Sequence, residues 1–249
     1  MTEIKGLLHA YSISESGLGT VLKGGKEITE AVESSQLAWV HLDANEPDVN
    51  IWLESDLKCI DSIIVDALVA EEARPRILQF DSGTLLILRG VNLNEDAKPE
   101  DMVSIRMWID KSRIISVRRR RLKAVSDITE KLLSGKGPKN SGEFITMLIG
   151  RLFERMEPVF SDLDEELNTL EEKIMDTPEA VYRQEINSIR RRSILFRRYM
   201  APQRDVIAAL RISDQPWLKL KDKRHLQESL DDIIRYIEDI DSIRERGQI

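Results

Sequence analysis

The 249 residues include a single cysteine, Cys59, which excludes an internal disulfide and any zinc site built from several thiolates of one chain. Histidine is almost as scarce: His9, His41 and His225 stand far apart. Aromatic residues make up 5%, and no apolar run approaches the ~18 residues of a membrane-spanning helix. The opening Met1-Thr2-Glu3-Ile4-Lys5 lacks the basic-then-apolar profile of a signal peptide, so a soluble chain in a reducing, cytoplasmic setting is expected. Positive charge is in deficit, with 37 Lys and Arg against 44 Asp and Glu and a net charge of -7. That balance argues against a nucleic-acid partner held by counterion release. No phosphate-binding Gly loop, nucleophile elbow or HExxH pattern occurs. Gly17-Leu18-Gly19 and Gly24-Gly25 read as turn glycines with no suitably placed helix after them. His9 and His41 fall in predicted strands, where a hydrogen-bonded histidine is expected rather than a metal ligand. The sequence is not that of an enzyme.

What is present is a β-rich first part and a helical second part. Strands are predicted at Leu7 to Ile13, Thr20 to Lys23, Ala38 to Asp43, Ile77 to Phe80, Thr84 to Val91, Met102 to Ile109 and Arg113 to Val117. Helices at Val49 to Leu57 and Ser62 to Ala70 interrupt them, with Pro47 in a first-turn position. This order predicts an α/β fold: an α/β/α sandwich with a mixed, largely antiparallel sheet of about seven strands. A short helix follows at Ala124 to Leu133, then a long one from Ser141. Its apolar positions, Phe144 through Ile174, step by three and four. Pro158 should kink or unwind that helix, and Pro202 the next. Thr177-Pro178 reads as an N-cap and first helical residue between them. Ser213-Asp214-Gln215-Pro216 should start a last helix of ~50 Å at 1.5 Å per residue. The expected division is a sheet domain at 1–140, a helical hairpin at 141–212 and a final helix at 213–249. In the final helix Leu226, Leu230, Ile233, Ile237 and Ile240 repeat 4-3-4-3, which fits a coiled-coil seam or a helix packed on its own domain.

Charge is concentrated locally. Arg118-Arg119-Arg120-Arg121 ends a predicted strand, so alternation should send Arg118 and Arg120 one way and Arg119 and Arg121 the other, to ion pairs with neighbouring acids; nucleic-acid or anion binding is the alternative. Asp162 to Asp176 carries seven carboxylates and should pair across the hairpin with Arg190-Arg191-Arg192. Glu46 to Glu72 is a second acidic stretch. On the last helix, Glu228, Asp232 and Asp239 lie opposite the apolar seam, flanked by Asp231, Glu238 and Asp241. If identical helices met around an axis, such rings would concentrate cations.

Several segments, in order, carry a family resemblance. Ala38-Trp39-Val40-His41-Leu42-Asp43, Glu72-Ala73-Arg74-Pro75-Arg76-Ile77-Leu78 and Leu88-Arg89-Gly90-Val91-Asn92-Leu93-Asn94 resemble the CorA/ZntB superfamily of divalent-cation transporters. Pro99 to Trp108, Ile115 to Leu122 and Tyr199-Met200-Ala201-Pro202-Gln203-Arg204-Asp205 are similar to its ZntB, zinc-transporting branch. The resemblance covers nearly the whole chain. It implies a domain on the cytoplasmic side of the inner membrane, a homo-oligomer, pentameric in this family, and a last helix acting as a stalk toward membrane helices. The two membrane helices and the Gly-Met-Asn loop of the family are absent from this sequence. Zinc is then the expected transported ion, with no further cofactor, and Glu228, Asp232 and Asp239 are the expected cation-facing residues. Magnesium or cobalt transport is the alternative within the family, and a soluble coiled-coil scaffold the alternative outside it.

Overall fold

The period-2 segments form one seven-stranded sheet in a computed structural model that describes residues 4–55, 57, 60–71, 74–176 and 180–247. The strands are β1 (Leu7–Ile13), β2 (Gly19–Val21), β3 (Ala38–Asp43), β4 (Arg76–Phe80), β5 (Gly83–Gly90), β6 (Val103–Ile109) and β7 (Arg113–Arg118), ordered β2-β1-β3-β7-β6-β5-β4. The β3–β7 pairing is parallel and all others are antiparallel. The fold is therefore the expected mixed, largely antiparallel α/β arrangement.

Alternation divides each strand between two cores. One sheet face sends Val40, Leu42, Leu85, Trp108, Ile115 and Val117 against helices α1 (Gly25–Glu33), α2 (Pro47–Ser55) and α3 (Ser62–Val69). The other sends Trp39, Leu86, Leu88, Ile105, Met107 and Ile109 into a larger core with α4 (Lys123–Leu133), α5 (Ser141–Asp176), α6 (Ala180–Arg211) and α7 (Leu220–Arg246). Helix α1 departs from expectation. It follows Gly24, whose φ of 93° favours glycine, and buries Ile28 and Val32, one helical turn apart. Only two apolar anchors mark it, too few for periodicity to stand out.

Neither Pro158 nor Pro202 interrupts its helix. Each removes one backbone donor, while Met156 and Phe160 around the first, and Met200 and Gln203 around the second, are buried and hold both flanks in place. The Thr177-Pro178 restart signal lies outside the described residues. The last helix begins at Leu220, later than expected: Ser213 to Lys219 form an irregular connection, in which Gln215 Nε2 donates to the Phe80 carbonyl (3.1 Å) and ties it to strand β4. Helix α7 has 27 residues and so spans ~40 Å.

Candidate functional site

The heptad seam is spent inside the chain. Leu226, Ile233, Ile237 and Ile240 are fully or nearly buried in the core shared with α5 and α6, and Leu230 packs at its margin. The seam is therefore the packing stripe of a helix on its own domain. This burial fixes the rotation of α7 and hence the direction of its polar side.

Glu228, Asp232 and Asp239 share that polar side, but on the flank next to α5. Glu228 and Asp232 line a groove of about 460 Å3 between α5 and α7, whose floor includes Met147, Phe153 and Tyr236. Asp239 lines the adjoining depression of about 380 Å3, with Ser161 and Asp164 of α5. Each has local company. His225 Nδ1 lies 3.1 Å from Glu228, and Arg235 donates to Asp232 at 2.9 Å. Burial raises the pKa of Asp239 above its ordinary value; Asp164 and Glu238 add to this and Arg235 opposes it. Of the flanking acids, Asp241 turns the other way, to Arg197 of α6 (2.6 Å) and to Arg244 (3.1 Å). Among the described residues no three His, Cys, Asp or Glu side chains are close enough to hold a metal ion. A single chain presents the three carboxylates as a row along a helix, spaced by its turns.

The carboxylates of α5 pair partly as expected. Glu166 reaches Arg192 at 2.5 Å, but Asp164 and Glu171 converge on Arg246 near the end of α7, at 2.8 Å and 2.5 Å. Asn168 accepts from the same guanidinium. Hairpin arithmetic between α5 and α6 missed Arg246 because a third helix packs against both. The Arg118–Arg121 run departs further. Strand β7 ends at Arg118, alternation stops there, and Arg119 and Arg120 line the same depression. None of the four forms an ion pair with a described residue; Arg119 donates to the Val69 carbonyl (2.6 Å), capping the C-terminal end of α3.

Of the sheet histidines, His41 is hydrogen-bonded, as expected, and His9 makes ring contacts with Tyr11, Trp39 and His41. His41 is fully buried and stacks on His9, with centroids 5.9 Å apart. Trp39 Nε1 donates to Ser116 Oγ (2.8 Å), which in turn lies 3.2 Å from the Val40 carbonyl. With the Ser116 proton given to that carbonyl, His41 Nδ1–H donates to Ser116 Oγ (2.8 Å), and Nε2 is left without a partner. Burial, with help from Arg118 and His9, lowers the His41 pKa to about 3.

A mixed sheet between two helical layers, one of them built largely from three long helices with an acidic flank on the last, defines an α/β/α protein. Comparison with known proteins makes the class specific. The CorA-like Mg2+ transporter family matches residues 34–249, and the chain belongs to that family. It is 35% identical over 237 residues to the zinc transport protein ZntB of Pectobacterium atrosepticum, covering 95% of this chain and 71% of the relative. It is likewise 35% identical over 244 residues to the divalent cation transporter CmaX of Pseudomonas aeruginosa, covering 97% and 73%. Full-length CmaX superposes with a TM-score of 0.90 at 33% identity over 99% of this chain and 76% of that one. The ZntB cytoplasmic domain of Vibrio parahaemolyticus superposes with a TM-score of 0.83 at 25% identity, covering 97% and 93%. The relatives are ion transporters, not enzymes. Among the described residues no helix is long and apolar enough to cross a membrane.

Proposed function

We propose that this chain is the cytoplasmic part of a zinc transporter, working as a homo-oligomer, pentameric as the family resemblance implies. In this reading residues 1–140 form the wall of a funnel, 141–212 a helical brace, and 213–249 a stalk leading to the membrane on the inner side. The observation that carries it is the match to ZntB proteins along nearly the whole chain, joined to superposition on a ZntB cytoplasmic domain at 93% of that domain's length. Glu228, Asp232 and Asp239 are the residues assigned to the cation path. Around an axis, copies of this flank form stacked carboxylate rings, which raise the local concentration of divalent cations without binding them tightly.

Magnesium or cobalt is the second reading, favoured by the family's description as CorA-like Mg2+ transporters. Zinc uptake into liposomes holding the complete transporter, measured against equal concentrations of magnesium and cobalt, decides between them. Zinc transport predicts uptake that a tenfold excess of magnesium leaves nearly intact; suppression by magnesium at equal concentration contradicts it.

A further inference from the structure

Two neighbouring depressions, of about 500 Å3 and 480 Å3, share Glu100, Asp101, Arg120 and Leu195 and so form one trough between the 92–102 loop and α6. Among the described residues, seven basic side chains and four acidic ones line it, in a chain whose acids outnumber its bases. The bases arrive from separate elements: Arg89 on β5, Arg119 and Arg120 after β7, and Arg191, Arg192 and Arg198 on α6. Arg192 is held by Glu166 and Glu100, at 2.5 Å and 3.9 Å. Arg120 and Arg191 are exposed and form no ion pair with any described residue, although carboxylates are in surplus.

A second observation points the same way. Arg106, 1% exposed, donates from Nη2 to the carbonyl of Glu71, a trough-lining residue, at 3.1 Å. Its Nε and Nη1 have no acceptor among the described residues. Burial, with the like charges of Arg119, Arg89 and Arg76, lowers its pKa to about 10; Arg119 and Arg89 line the trough, and Arg106 lies behind them rather than in its lining. A buried guanidinium crowded by like charge is costly, and negative charge placed beside Arg119 and Arg89 offsets that repulsion.

From this arrangement we infer that the trough binds a phosphate-bearing small molecule with at least two linked phosphates, of the pyrophosphate or nucleotide class. Guanidinium groups match phosphate oxygens in pairs. A single phosphate occupies only a small part of either depression, whereas linked phosphates reach several bases at once: Arg120 at the junction, beside Glu100 and Asp101, together with Arg191. The site is independent of the acidic flank of α7 and of which cation is carried.

Calorimetric titration of the protein with pyrophosphate, ATP and inorganic monophosphate, at ionic strength held constant with sodium chloride, tests this. The expected result is that pyrophosphate and ATP bind at least about tenfold more tightly than monophosphate, and that Arg120→Ala with Arg191→Ala weakens them by about tenfold or more. Both positions are exposed, so the fold survives, which far-UV circular dichroism verifies. Arg224→Ala, on the exposed side of α7, leaves binding unchanged. Absence of binding, equal affinity for monophosphate, or equal loss in the Arg224 variant overturns the inference.

Discussion

Gln203 joins the helical layer to the sheet with one side chain. Its Oε1 accepts from the Arg89 backbone N–H at 2.6 Å and its Nε2 donates to the Arg89 carbonyl at 3.1 Å, while Arg89 lies over the Tyr199 ring at 4.0 Å. Replacing Gln203, 1% exposed, with leucine removes both of these hydrogen bonds to the Arg89 backbone. The expected cost is about 2–4 kcal/mol of stability, read from urea unfolding. His41 makes a second prediction, in pH. Its pKa is lowered from 6.5 to about 3 in the fold, so above pH 6.5 both states hold it neutral. As pH falls below that, the unfolded chain takes up a proton that the folded chain refuses, and stability declines by up to about 1.4 kcal/mol per pH unit. His41→Asn removes this contribution, so the stability gap between wild type and variant should narrow from pH 7 to pH 5. A constant gap contradicts the assignment. His41 was legible in the sequence as a hydrogen-bonded strand histidine, but the Gln203–Arg89 link was not: it spans 114 positions, and only packing of α6 on β5 creates it.

At the level of elements, the stripe of α7 decides whether the last helix assembles with copies of itself or completes its own domain. Ile233 is fully buried against the chain's own core. Ile233→Ala is expected to cost about 2–4 kcal/mol in unfolding at every protein concentration. A coiled-coil seam between copies would instead make the cost vary with concentration. Helix α5 offers a converse case. A Cβ at Gly150 would meet nothing within 4 Å, so Gly150→Ala is expected to stabilise the chain by about 0.5–1 kcal/mol, seen as a raised Tm. The seven strands and most helices were legible because alternation and three-four stepping report one buried face directly. The same logic could not tell a helix's own core from a neighbour's, which is why the 4-3-4-3 spacing suited two architectures. Helix α1, with two anchors, and the late start of α7, set by the Gln215–Phe80 tie, depend on contacts that periodicity does not encode.

For the whole molecule, family membership and the placement of charge now bear on each other. The packing stripe turns Glu228, Asp232 and Asp239 onto one exposed flank, and the positive charge gathers instead in the trough beside α6. Sequence spacing grouped the three acids on one side of α7, though it set them opposite the seam and the structure puts them on the flank next to α5. It missed the trough, because Arg89, Arg120 and Arg191 are remote along the chain and meet only through the order of β5, β7 and α6. The central claim is that the acidic flank of α7 feeds cations to a transport path. Its most direct test is initial zinc uptake by the complete transporter in liposomes, comparing wild type with Glu228→Gln, Asp232→Asn and Asp239→Asn combined, at low and high ionic strength. The account predicts a several-fold loss of uptake at low ionic strength that fades as salt screens the wild-type flank. Uptake and salt dependence identical to wild type would contradict it.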